Sequence, residues 1–242
     1  PAGDIPDTPG VHGIALAPEF NKGFISNGRG NNVTIFDMKT LKATGTVATE
    51  MNPDDITYDA ASKRVFAFNG RSRSATVIDA KTGMAVATIP LPGKPEFAVT
   101  DGKGKVYNNI EDTNEIVEID AATAKVTKKY ALTGCEGPSG LAIDTKARRL
   151  FSVCGNRVMA VSDPDKGVVV ATPAIGAGSD GVVFDPGTGY AISANGDGTM
   201  TIVQQTGGKY DVVENIATER GARTIAIDEK THRVYAPTAT VG

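Results

Sequence analysis

The chain has 242 residues, a net charge of −3, 40% apolar residues and 22% charged residues, a composition that supports a packed core beneath a solvated surface. No cluster of Lys and Arg marks a duplex-binding surface, so nucleic acid is not expected as a partner, and no apolar run approaches a transmembrane span. Two cysteines and two histidines are too few for a disulfide scaffold or a multi-histidine metal centre, and no C-x-x-C-H haem-attachment sequence is present.

In chain order, Asp4-Ile5-Pro6 reads as the tail of an outer strand, and a repeat then begins. Six segments align, starting at Gly13, Asp55, Glu96, Gly140, Gly181 and Thr224, and their first apolar residues are Ile14, Ile56, Phe97, Leu141, Val182 and Ile225. Successive spacings of these apolar residues are 42, 41, 44, 41 and 43. A second anchor in the same register ends at Asp37, Asp79, Asp120 and Asp163, with spacings of 42, 41 and 43. The second repeat shows the unit: an inner strand over 55–58, a second over 64–68, a third over 75–79 and an outer strand over 84–89. An Asp closes each hairpin, at Asp59 and Asp79, where a carboxylate can accept from turn N–H groups, and Gly83 can supply positive φ. Four short antiparallel strands every 40–45 residues is the period of a propeller blade, and one blade cannot bury both faces alone. The predicted fold is an all-β β-propeller of four-stranded antiparallel blades forming a single domain over residues 1–242, with a β-sandwich as the alternative. Five blades are full, the last repeat stops after its second strand near Tyr235, and the terminal blades are incomplete.

These repeats resemble the YVTN-repeat, YncE-like family of bacterial propellers. The matching pieces are PGVHGIALAP from Pro9, VTIFDMKTLK from Val33, NPDDITYDAASKRVF from Asn52, ATVIDAKTGMAVATIPLPGKPEFAV from Ala75 and GARTIAIDEKTHRVY from Gly221. The resemblance implies seven blades when complete, with roughly one blade before Pro1 and more chain after Gly242. It also implies a periplasmic or secreted protein, with no agreed catalytic motif.

Repetition separates scaffold from candidate site. Asp59, Asp144, Asp185 and Asp228 recur after the inner strands, with Asp101 one place later, and Asp37, Asp79, Asp120 and Asp163 recur after the third strands. A side chain present in every repeat is expected to serve the turns. The opposite rim varies. Positions where the chain enters the inner strand hold His12, Asp54 and Asp55, Glu96, Ser139, Asp180 and Arg223, and neighbouring loops add Asn69 and Arg71, Asn109 and Asn195. Polar groups converging on a channel mouth make this rim the expected ligand-binding surface. The mixed signs favour a polar small molecule, an ion or a protein loop. The carboxylates Asp54, Asp55, Glu96 and Asp180 could share a divalent cation, which prefers oxygen donors, and no other cofactor is implied. Glycine-rich stretches at Gly28 and Gly70 follow strands but open no helix, so phosphate binding is not expected.

Cys135 precedes one inner strand and Cys154 ends the strand beside it. Antiparallel pairing about the turn at 144–149 sets residues near 140 opposite 154, so a disulfide between Cys135 and Cys154 is expected, consistent with an oxidising compartment. The functional expectation is an exported, monomeric, non-enzymatic binding or protein-interaction module. The alternative is a metal-dependent hydrolase similar to lactonase-type propellers, with Glu96, Asn109, Asn195 and Asp180 about one ion.

Overall fold

The computed structural model describes residues 3–238. Period-2 alternation in each repeat produces strands, and Asp, Gly and Asn turns break them at regular intervals. The first sheet holds β1 (Val11–Ala17), β2 (Lys22–Asn27), β3 (Asn32–Asp37) and β4 (Lys42–Ala48). The second holds β5 (Pro53–Asp59), β6 (Arg64–Asn69), β7 (Ser74–Asp79) and β8 (Met84–Pro90). The third holds β9 (Pro95–Thr100), β10 (Lys105–Ile110), β11 (Glu115–Asp120) and β12 (Lys125–Ala131). The fourth holds β13 (Pro138–Asp144), β14 (Arg149–Cys154), β15 (Met159–Asp163) and β16 (Val168–Ala171), and the fifth β17 (Ser179–Asp185), β18 (Tyr190–Asn195), β19 (Thr199–Thr206) and β20 (Lys209–Ala217). A last hairpin pairs β21 (Ala226–Asp228) with β22 (Arg233–Tyr235). Each full sheet is a meander, its strands hydrogen-bonded in chain order.

Two compact units divide the chain, Pro1–Asn108 with Val117–Lys128, and Asn109–Ile116 with Lys129–Gly242. In the first, Phe24, Val33, Ile56, Val65 and Ile78 form a buried core. In the second, Phe151, Val153, Met159, Val161 and Val203 do the same. Second and third strands are buried almost throughout, whereas fourth strands are largely exposed.

Glycine at the start of a first strand lets the next first strand come close. A Cβ on Gly140 would stand 2.6 Å from the Asp180 carbonyl oxygen, and one on Gly181 would stand 2.9 Å from Ile225 Cγ2. In the first unit, Ile56 Cγ2 covers Gly13 in the same way, at 3.1 Å from the ideal Cβ position. Ile56, Leu141 and Val182 are accordingly buried.

Three details differ from the sequence expectation. Residues 4–6 form no strand, because Pro6 lacks an N–H and Asp7 takes a positive φ of 59°. Ile225 lies one residue before β21, since the short final hairpin pairs only three residues from each strand. Ile14 lies on β1 but is 59% exposed, because its side chain has no neighbouring sheet covering it among the described residues.

Candidate functional site

One end of the sheets carries the repeated Asp turns, and each carboxylate does what a turn requires. Asp37 Oδ1 accepts from the Lys39 and Thr40 N–H groups and from the Thr40 hydroxyl. Asp79 and Asp120 repeat this with Thr82 and Thr123. Hydrogen bonds from the turn, the Thr40 N–H first, hold the Asp37 carboxyl below its ordinary value. The residues closing these turns, Leu41, Gly83, Ala124 and Gly167, all have positive φ, so glycine is the unstrained choice where it occurs.

The other end of the first unit carries variable charges, and they are paired. His12, ahead of the first-sheet repeat, lies 2.6 Å through Nδ1 from Asp54 Oδ1, its counterpart in the next repeat. Glu96 on β9 is bridged by Lys94 at 2.7 Å. Asn52, at φ 60°, ties the loops together. Its N–H donates to Asn31 Oδ1 at 2.8 Å, and its side chain packs over Gly28 and Gly70. A Cβ on Gly28 would meet Asn52 Nδ2 at 2.8 Å and the His12 ring at 2.9 Å, which is why the loop needs glycine there.

Asp55 is the unusual member. Its Oδ2 accepts from the Ala98 N–H on β9 at 2.7 Å. Desolvation pushes its carboxyl up to about 7, against the opposing hydrogen bonds from Ala98 and Ile56, and the neighbouring Asp54 and Glu96 charges add to the rise. The residue as a whole is only partly covered, so it is the carboxyl seated against β9, not the entire side chain, that loses water. Arg71, another expected contributor, is exposed.

In the second unit, Arg223 Nε lies 3.6 Å from Asp180 Oδ2, again joining equivalent positions of successive repeats. The Ser139 hydroxyl donates to the Ser179 carbonyl at 3.3 Å. His12 with Asp54 and Arg223 with Asp180 are therefore paired sideways, repeat to repeat, whereas Glu96 is balanced within its own repeat by Lys94.

Three asparagines expected on the rim are fully buried. Asn69 Nδ2 donates to Ser74 Oγ and Thr76 Oγ1 on β7 at 3.1 and 3.0 Å. Asn195 makes the same fork to Thr199 and Thr201, and accepts from Ser193 Oγ. Asn27 repeats it with Asn32 and Thr34. Asn109 instead donates to the Ser139 and Gly140 carbonyls and accepts from Ser152 Oγ. The spacing was visible in Asn27…Asn32-Val33-Thr34 and Asn69…Ser74-Ala75-Thr76, and marks a strand-locking device. Lys94, which balances Glu96, was missed, and its place two residues before Glu96, just ahead of β9, was the available signal.

A disulfide joins Cys135 to Cys154 with Cα atoms 5.5 Å apart. Cys154 holds the strand-end position that Asn27, Asn69 and Asn195 hold elsewhere, so a covalent tie to the 132–137 loop stands where other sheets use an amide fork.

No three His, Cys, Asp or Glu side chains come together to hold a metal among the described residues. The four residues expected around one ion do not fit that role, because the Asn109 and Asn195 amides are engaged inside the sheets.

No family model matches the chain, and no curated protein matches it. Solved structures do. A chain of Kuenenia stuttgartiensis hydrazine synthase is similar at 16% identity and a TM-score of 0.66, covering 99% of this chain and 98% of that one. The WD40 β-propeller domain of Doa1 is similar at 15% identity and a TM-score of 0.74, covering 93% of this chain and 74% of that one. At such identities the likeness concerns the fold alone, and with five four-stranded antiparallel meanders it makes this chain an all-β protein with the β-propeller fold.

Proposed function

We propose that the chain is an exported, non-enzymatic binding module of the YVTN-repeat kind. In this reading the loop end of its first unit is the recognition surface, with His12, Asp54, Asp55, Glu96 and the exposed Arg71 as contacts. The observation that carries it is the contrast between the two ends of the sheets. The Asp37, Asp79 and Asp120 turns are chemically the same, whereas equivalent positions at the loop end hold His12, Asp54 and the Lys94–Glu96 pair. Paired charges held on rigid strands confer specificity more than raw affinity. They suit a polar protein loop that exchanges one partner of each pair for its own. Propellers commonly serve as protein-interaction scaffolds, and the disulfide fits an oxidising compartment.

A metal-dependent hydrolase of lactonase type is the alternative, favoured by one feature, the Asp55 carboxyl placed near neutrality, where a general base works best. A lactone-hydrolysis screen with added Ca²⁺, Zn²⁺ or Mn²⁺ separates the two. The binding reading expects no turnover that depends on Asp55. Metal-dependent turnover abolished by Asp55→Asn would replace it with the enzyme.

A further inference from the structure

The fifth sheet breaks the turn rule, at the hairpin between its third and fourth strands. In the first, second and fourth sheets the third and fourth strands stop pairing at the Asp, as Asp37 with Lys42, Asp79 with Met84 and Asp163 with Val168. Aligning the Asn forks places Gln204 where those Asp residues stand. There the hairpin does not close. Gln204 pairs with Asp211, and two further pairs follow, Gln205 with Tyr210 and Thr206 with Lys209, before the turn at Gly207 and Gly208, both at positive φ. A scaffold has no need for this extension, since four strands already complete the sheet.

The extension leans over the fourth sheet and encloses a cavity. Tyr210 meets Phe151 edge-on, with ring centroids 6.0 Å apart and planes at 71°, and Phe151 stacks on Phe184 at 5.5 Å. These rings, with Asp144, Gln204 and Gln205, line a space of about 180 Å³. Asp144, one of the lining residues, accepts both backbone donors of its turn through Oδ1 alone, from Lys146 and Ala147 at 2.9 Å. No Lys, Arg or His lines this space. Arg149, beside Tyr210, is paired with Asp163 at 3.3 Å.

We propose that this cavity binds a small organic ammonium group, held between the Asp144 carboxylate, the amide oxygens of Gln204 and Gln205, and the aromatic wall of Tyr210, Phe184 and Phe151. A carboxylate with aromatic faces and no cation is a complementary environment for such a charge. The volume accommodates the head of an amine but not a large ligand. The same chemistry is presented by a free amine and by a lysine side chain of a partner.

Titration calorimetry with n-butylammonium and with a capped glycyl-lysyl-glycine peptide tests this, with n-butanol as the neutral control. The expected result is saturable binding of at least one ammonium probe, none of n-butanol, and loss of about ten-fold or more in affinity for both Asp144→Asn and Tyr210→Ala, equivalent to about 1.4 kcal/mol. Asparagine keeps an oxygen acceptor for the turn, so D144N tests charge without dismantling the sheet, and its melting temperature serves as the folding control. Tighter binding of the peptide assigns the site to a partner's lysine, and equal or weaker binding of the peptide assigns it to free amines. Absence of binding by both probes, or affinities unchanged in D144N, overturns the proposal.

Discussion

Asp55 occupies a slot that Gly13, Gly140 and Gly181 fill elsewhere, where successive first strands approach closely. A carboxyl placed there is desolvated, and its pKa rises to about 7. The unfolded chain releases this proton at the ordinary value of 3.8, so between about 4 and 7 the folded state binds more protons than the unfolded one. Stability from this residue is therefore present at acid pH and lost as pH rises towards 7, after which the loss is constant. Asp55→Asn is expected to raise the melting temperature at pH 8 and to change it little at pH 4, as thermal unfolding followed by circular dichroism would show. An equal shift at both pH values would mean that the effect is packing and not charge. The buried forks make an opposite case. Asn69→Ala removes two buried hydrogen bonds, the amide's donations to Ser74 Oγ and Thr76 Oγ1, so a loss of about 2–3 kcal/mol in urea denaturation is expected. Charge was legible in the sequence at these positions, but burial was not. Asn69, Asn109 and Asn195 look like polar loop residues in one dimension, and only strand register turns them inward.

At the scale of elements, the strands were readable because period-2 alternation and turn chemistry agree in every repeat. Strand limits in the second repeat moved by only one or two residues, from 55–58 to Pro53–Asp59 for the first strand. The extended β19–β20 hairpin was not readable as a departure until Asn195 and Thr201 fixed its register, because Gln204 carries no turn signal of its own. The disulfide was legible because antiparallel pairing set Cys154 opposite Pro138, three residues beyond Cys135. Cys135→Ser is expected to lower stability by about 3 kcal/mol, from the entropy of a loop with a sequence separation of 19. Denaturation with and without reductant checks this, since the variant should become indifferent to reductant. The close approach of first strands gives a sharper test of geometry. Gly140→Ala places a Cβ 2.6 Å from the Asp180 carbonyl oxygen, and a loss of about 1–3 kcal/mol is expected.

For the whole molecule, the repeat period alone implied four-stranded sheets, and the described residues form five of them and a two-stranded hairpin. Which variable residues recognise something was less legible. Variation marks both a binding surface and ordinary solvated loops, and the sideways pairing of His12 with Asp54 shows that part of it serves local charge balance. The central claim, that the loop end of the first unit binds a partner, is tested most directly by quantitative affinity capture from cells that make the protein. Wild type is compared with Asp54→Ala/Glu96→Ala and with Lys125→Ala, a change on the exposed β12. The account expects at least one partner held by wild type and by Lys125→Ala but reduced about ten-fold or more by the double variant, with all three proteins equally folded. Capture that is identical across the three would contradict it.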